Sequence, residues 1–285
     1  MIEIKNLNFA YRKKSHLFDD LNLSVAPGSI CGLLGKNGAG KTTLLKILTG
    51  LLFPKSGSVS VFGQNPANRL PETLKEIYMV PEEFYLPALT VREYAQLYAP
   101  FYPRFNNERL MAHLTDFELP ENDKLSPLSY GQKKKFLIAF GLATDSHLLL
   151  LDEPTNGLDI PSKSQFRKIL ASSLTDDRTF IISTHQVRDM GNLIDPIIIL
   201  DNGKIIFHES VESVNRKLTV RILPEIPENE TVLYSEKMLD RFVIVSPNPD
   251  GEETKMDIEL LFNTVILNRE KMDSLFTKEV NHEAR

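Results

Sequence analysis

Eight consecutive residues, Gly35-Lys36-Asn37-Gly38-Ala39-Gly40-Lys41-Thr42, fit the phosphate-binding pattern G-x-x-x-x-G-K-[ST] without a mismatch. The glycines let the backbone bend tightly and bring its N–H groups against phosphate oxygens. Lys41 can reach terminal phosphates, and the Thr42 hydroxyl can ligate Mg²⁺. Far along the chain, Leu148-Leu149-Leu150-Leu151-Asp152-Glu153 runs an apolar stretch into two carboxylates. A carboxylate closing a buried strand beside the loop can hold Mg²⁺ through its water shell, which suits Asp152. Glu153, next to it, can orient or deprotonate an attacking water. Adjacent carboxylates are more often a solvated turn, but four leucines leading into them argue for a buried strand. His185 follows the β-rich run Thr179–Ser183 and Thr184, at a strand exit where open α/β sheets bind ligands. That position favours a γ-phosphate contact over a structural histidine. Together these residue types suit metal-assisted attack of water on a bound terminal phosphate.

Such chemistry needs a sheet that brings distant strand ends together. Ile30–Leu34 reads as a buried strand before the loop, and Leu44, Leu45, Ile47 and Leu48 as one side of a helix after it. That helix start adds free N–H donors and a partial positive charge. Ile2, Ile4, Leu7 and Phe9 alternate within Met1–Tyr11, with Leu21, Leu23 and Val25 as a neighbouring strand and Val59 and Val61 in another. Ile77–Val80 is a continuous apolar run, as in strands buried on both faces. Residues 84–127 change to helical spacing. Thr90 and Glu93 form a capping box there, and Asn106 or Asn107 caps a second helix. Ser129 and Gln132 form another box, opening a helix through Phe136, Leu137, Phe140 and Leu142. Three lysines, Lys133 to Lys135, follow directly; a solvated basic face is the expectation for them. Asp201-Asn202-Gly203 joins Ile197–Leu200 to Lys204–Phe207 as a hairpin.

Past residue 216 the composition shifts. Leu223–Glu230 reads as a boundary or surface loop, Val232–Tyr234 and Phe242–Val245 as strands. Ile258, Leu261, Phe262, Val265 and Ile266 mark an amphipathic helix. This small α+β appendage, 217–285, carries no catalytic motif. It is expected to pack against itself or a second copy, away from the phosphate site.

The chain has 285 residues, 42% hydrophobic and 25% charged, with a net charge of −5. That balance gives no electrostatic case for nucleic acid. Cys31 is the single cysteine, so no internal disulfide forms, and its place in a buried strand suggests a structural role. Residues 1–10 show no cationic start with an apolar run, and no apolar stretch approaches the ~18 residues of a membrane helix. The expected location is cytoplasmic, with any membrane role exercised through a partner.

The order of these motifs over residues 1 to about 215 resembles the nucleotide-binding subunit of an ATP-binding-cassette (ABC) transporter. Leu128-Ser129-Tyr130-Gly131-Gln132 is similar to the family signature LSGGQ, Leu148–Asp152 to its Walker B strand, Asn156–Asp159 to its D-loop and His185 to its switch histidine. The signature discriminates best, because other phosphate-loop ATPases lack it. The resemblance implies an α/β fold: an ABC ATPase core with an antiparallel β subdomain and an inserted helical subdomain at about 84–145. That domain spans 1–216, and the α+β appendage follows. ATP and Mg²⁺ are the implied cofactors. Tyr11 would stack on adenine, and Gly35, Asn37, Gly38, Gly40, Lys41, Thr42 and Thr43 would hold the phosphates. Thr42, Asp152 and Glu82 would serve the metal, and Glu153 and His185 the chemistry. Ser129, Gly131 and Gln132, with Asp159, would face ATP held by an opposite subunit in a head-to-tail homodimer or heterodimer.

Two positions depart from the family pattern. Tyr130 replaces the first signature glycine, where bulk hinders approach of the opposite ATP. Glu82 replaces the usual Q-loop glutamine; some members, mainly stand-alone ATPases of exporter-like systems, carry Glu here. The implied function is an ATPase subunit energising a separately encoded polytopic permease, peripheral on the inner face of the cell membrane, with export the favoured direction. The alternative is a non-transport ABC ATPase clamping a soluble partner. A phosphate-loop kinase or GTPase is disfavoured by the signature and by the missing N-K-x-D pattern.

Overall fold

A computed structural model describes residues 1–12, 16–120, 123–191, 193–252 and 254–277. The first third supplies β1 (Ile2–Phe9), β2 (Phe18–Val25), β3 (Ile30–Leu34), α1 (Lys41–Leu48), β4 (Ser56–Val61), α2 (Pro71–Leu74) and β5 (Ile77–Val80). Alternation in β1 and β2 does what a half-buried sheet requires: Ile2, Ile4, Leu7, Leu21, Leu23 and Val25 are buried and their neighbours face out. β2, β1 and β4 form an antiparallel three-stranded sheet. Its inner face shares a core with α1 through Leu44, Leu45, Ile47 and Leu48.

The helical insertion follows as α3 (Val91–Tyr98), α4 (Asn107–Asp116) and α5 (Tyr130–Ala143). Both expected capping boxes are formed, Thr90 with Glu93 on α3 and Ser129 with Gln132 on α5. Asn106 is the residue that caps α4, accepting from the Arg109 N–H at 2.9 Å. From Phe136 to Ala143 every residue of α5 is buried, which makes it the central helix of this region. Phe136 and Phe140 meet Tyr94 edge-on, with ring centroids 5.0 and 5.1 Å away. Such aromatic pairs add about 0.5–1.5 kcal/mol each beyond the area they bury.

The remaining core elements are β6 (Leu148–Asp152), α6 (Ile160–Ser173), β7 (Thr179–Thr184), β8 (Ile197–Asp201), β9 (Lys204–Glu209) and α7 (Val211–Lys217). The main sheet has the order β5-β6-β7-β3-β8-β9, with only β9 antiparallel. β6 and β7 are buried along their whole length, as continuous apolar runs in a parallel sheet demand. The β8–β9 hairpin turns through Asn202 and Gly203, both at positive φ (45° and 74°), as the Asn-Gly turn requires. Register aligns the functional strand ends: Leu34 of β3 pairs with Thr184, and Asp152 pairs with Ser183.

The appendage comprises β10 (Leu218–Leu223), β11 (Tyr234–Met238), β12 (Arg241–Pro247), α8 (Ile258–Leu267) and α9 (Arg269–Thr277). Two expectations are corrected here. The strand read at Val232–Tyr234 lies instead at Tyr234–Met238, where a polar run pairs with β12. The appendage does not pack only on itself. Leu261, Val265 and Met272 join Val187, Met190, Ile194 and Phe207 in one buried cluster. Phe207 meets Phe276 edge-on at 5.1 Å, and Arg188 pairs with Glu259. The apolar stripe of α8 is therefore spent against the cassette, beside the turn that follows His185.

Candidate functional site

Strand geometry builds the site at the carboxyl ends of β3, β6 and β7. The chain leaves β3 into the glycine loop and re-enters helix at Lys41. Gly40 caps α1 at φ +112° and brings no side chain to its free N–H groups. A Cβ at Gly40 would lie 2.6 Å from the Phe18 ring, so both conformation and space demand glycine. The bare helix start is left to bind an anion. Lys41 is 6% exposed and donates to the Gly35 carbonyl at 2.7 Å. Thr42 Oγ1 donates to Asp152 Oδ2 at 2.8 Å, and the Ser183 hydroxyl donates to the other Asp152 oxygen.

Glu153 leaves β6 at φ +44°, in the left-handed region that costs a non-glycine residue about 1–2 kcal/mol. Its backbone N–H donates to the Ser183 carbonyl at 3.0 Å, which holds that turn. The side chain is 5% exposed. Its Oε1 lies 2.8 Å from His185 Nδ1, 3.1 Å from the His185 N–H and 3.4 Å from Lys41 Nζ. A loop lysine, the candidate base and the candidate switch histidine thus converge on one carboxylate.

A cleft of about 500 Å³ opens over this cluster, lined by Tyr11, Asn37, Gly38, Gly40, Lys41, Thr42, Thr43, Glu82, Glu153 and His185 among the expected residues. His16 and Leu17 also line it, and no sequence signal marked them. Gly35 lies beneath, contributing its carbonyl to Lys41. Tyr11 is 41% exposed; its hydroxyl meets Thr43 Oγ1 at 2.9 Å and its ring packs edge-on against Phe9. Glu82 turns toward the cleft while Oε1 accepts from Asn156 Nδ2 at 3.0 Å.

Ser129, Gly131, Gln132 and Asp159 are not in that cleft. They line a second, polar recess together with Gly157, Leu158 and Ser162. Ser129 caps α5, and Asp159 caps α6 by accepting from the Ser162 N–H at 2.9 Å. Hydrogen bonding from the Ser162 side chain, and then from its backbone N–H, holds the Asp159 carboxyl below the usual range.

The lysine run departs from expectation at its centre. Lys134 is completely buried, not solvated. Burial pushes its ammonium down to about 8, against the opposing pull of Glu82, Asp152 and Glu153. Tyr130 is folded over it. Its ring stacks on Phe84 (5.2 Å, 20°) and its hydroxyl donates to the Glu82 carbonyl at 2.7 Å. The bulk introduced at the signature is thus partly laid onto the Glu82 segment, though Tyr130 stays 46% exposed.

The sequence profile of the family described as ABC transporter matches residues 18–156. The SkfA peptide export ATP-binding protein SkfE of Bacillus subtilis (strain 168) is 34% identical over 238 residues, spanning 79% of this chain and 98% of that protein. The ABC transporter ATP-binding protein NatA of the same organism is 30% identical over 203 residues, 68% of this chain and 82% of that one. Among solved structures, an ATP-binding subunit of an ABC transporter superposes with a TM-score of 0.67 at 25% identity, covering 76% of this chain and 92% of that one. The cassette MJ0796, in a dimeric post-hydrolysis state with ADP and Pi, gives 0.66 at 26% identity, covering 74% and 98%. Similarity over nearly the whole of one relative, carried on the same fold, decides the matter: this chain belongs to the ABC transporter family, as an ATP-binding subunit.

Proposed function

We propose that the chain binds ATP, hydrolyses it with Glu153 as the water-activating base, and so drives a separately encoded membrane permease. The observation that carries this reading is the convergence of Lys41 and His185 on the buried Glu153 carboxylate, at 3.4 and 2.8 Å. The loop amides and Lys41 hold the phosphates. Tyr11 offers its half-exposed ring to the base. Glu153 takes the proton of the attacking water, and His185 contacts the γ-phosphate from the β7 end. Pre-placed charges of this kind act where charge develops in the transition state.

The oxygen donors beside the loop suit Mg²⁺, which takes one or two carboxylates together with substrate phosphates and water. Thr42 and Asp152, already 2.8 Å apart, would hold the ion, with Glu82 at the rim. Bound there, it would neutralise charge on the transferring phosphate.

Two further features support a working assembly. The recess of Ser129, Gly131, Gln132 and Asp159 is separate from the ATP cleft, as a head-to-tail dimer needs if each subunit completes the other's site. Tyr85 is 89% and Phe101 67% exposed, with Phe84, Tyr98, Tyr102 and Phe105 only partly covered. Of these, Phe105 lines a groove of about 390 Å³ along α3 and α4, with Arg92, Ala95, Gln96, Ala99, Asn107 and Met111, that suits a short helix of the permease. No helix among the described residues is long and apolar enough to cross a membrane. On the proposed reading the permease acts in trans and recruits this subunit to the inner face of the membrane. Export is the direction favoured by relatives named for peptide and Nod factor export. Copurification with a polytopic membrane protein, and Mg²⁺-dependent ATP hydrolysis by the purified chain, test the proposal. A chain that binds no nucleotide, or binds it without turnover in either setting, refutes it.

A further inference from the structure

A lysine buried without a carboxylate partner is costly, because its charge loses water and gains no ion pair. Lys134 is in this position. It sits on the second turn of α5 with 0% exposure, and Lys134 appears in none of the ion pairs among the described residues. Its Nζ faces four backbone carbonyls: Pro81 at 3.4 Å, Glu82 at 3.2 Å, Asp152 at 3.5 Å and Glu153 at 3.3 Å. Three N–H groups cannot satisfy four acceptors, and all four distances are long for hydrogen bonds. The ammonium is shared as a charge among converging dipoles. The stacked rings of Phe84 and Tyr130 close the site, 5.5 and 5.7 Å from Nζ.

What matters is which elements those carbonyls belong to. Pro81 and Glu82 follow β5, and Glu82 lies on the rim of the ATP cleft. Asp152 and Glu153 are the candidate metal ligand and base at the end of β6. Lys134 itself belongs to the helix whose cap, Ser129, and first-turn residues Gly131 and Gln132 line the other recess. One side chain therefore fastens the end of α5 that serves a neighbouring nucleotide to the strand end that works on the subunit's own. Tyr130 adds a second tether, from the preceding turn of the same helix to the Glu82 carbonyl.

We propose that Lys134 is a positioning residue that couples engagement of Ser129 by a partner-bound nucleotide to the placement of Asp152 and Glu153 in its own subunit. The proposal rests on the ATPase and head-to-tail dimer reading above. On this account the buried charge is kept because a neutral side chain of similar shape would fill the space without gripping both segments.

The test compares wild type with Lys134→Met, which keeps length but removes charge and donors, and Lys134→Gln, which keeps donors without charge. ATP affinity of the isolated subunit and kcat are measured for each, and ATP-driven dimerisation is measured in a Glu153→Gln background. Lys134→Met is expected to bind ATP within about threefold of wild type while kcat and dimerisation each fall about tenfold, the scale of one charge-assisted contact. Lys134→Gln is expected to recover part of both. A folded Lys134→Met with unchanged kcat and dimerisation overturns the proposal, and so does loss confined to ATP affinity. Should Lys134→Met fail to fold, Lys134→Gln decides: lowered kcat at unchanged affinity supports the proposal, and unchanged kcat overturns it. Absence of hydrolysis by the wild type would instead overturn the ATPase reading, and this proposal with it.

Discussion

Tyr130 and Gly157 should be energetically coupled, and the structure supplies the size of the effect. Gly157 has φ +79°, and a Cβ built there would lie 2.7 Å from Cδ1 of the Tyr130 ring. Gly157→Ala therefore meets two penalties. The left-handed backbone costs about 1–2 kcal/mol. Overpacking against the ring costs about 1–3 kcal/mol more. Tyr130→Ala removes a stacked aromatic pair, about 0.5–1.5 kcal/mol, and one hydrogen bond to the Glu82 carbonyl, about 0.5–1.5 kcal/mol. In the double variant the clash is gone, so the alanine adds only its backbone penalty to the loss already made by Tyr130→Ala. The pair should thus be more stable than the two single losses imply, by about 1–3 kcal/mol. Equilibrium urea unfolding of the four proteins measures this coupling directly. Additivity within about 0.5 kcal/mol would refute the packing of Tyr130 over Gly157.

Glu82→Gln should keep hydrolysis but shift the Mg²⁺ titration to higher concentration, since one carboxylate near the metal is lost; an unchanged titration would mean that Glu82 does not serve the ion. Removal of residues from Leu218 onward should leave ATP binding intact, because no described residue of the appendage lines the ATP cleft. It should also bare Val187, Met190, Ile194 and Phe207 and lower the melting temperature by several degrees; lost binding in a folded cassette would refute the first half. Burial pushes the Cys31 thiol up to about 11, so at pH 8 roughly a thousandth is thiolate. Alkylation of Cys31 should be at least about a hundredfold slower in native than in urea-unfolded protein, rising with pH; fast native labelling would contradict its burial.

The legible parts of this chain were those written in short local codes. The phosphate loop, two capping boxes and the Asn-Gly hairpin each specify a conformation within a few residues. The run of leucines before Asp152 announced a doubly buried strand because a parallel sheet needs such a run. Assembly of Asp152, Ser183 and Thr42 followed once the strand order was known. Lys134 was illegible, because three successive lysines on a helix carry no mark of which one points inward. Its burial depends on carbonyls more than 50 residues upstream, at Pro81 and Glu82. β11 hid because Tyr-Ser-Glu-Lys-Met has no apolar alternation; it is a polar edge strand stabilised by pairing with β12. The docking of α8 on the turn after His185 was equally hidden, since an apolar stripe says that a face is covered and not by what. The partner of Glu82, Asn156, lies 74 residues away and had no signal of its own.

The central claim is that the carboxylate of Glu153 activates water on ATP held by the glycine loop. Steady-state ATP hydrolysis by Glu153→Gln, with ATP binding measured in the same preparation, tests it most directly. The substitution keeps volume and hydrogen-bonding reach but removes the base. The account predicts retained ATP binding, turnover reduced about 10²–10⁴-fold, and accumulation of an ATP-bound dimer. Hydrolysis at the wild-type rate in that variant would contradict it.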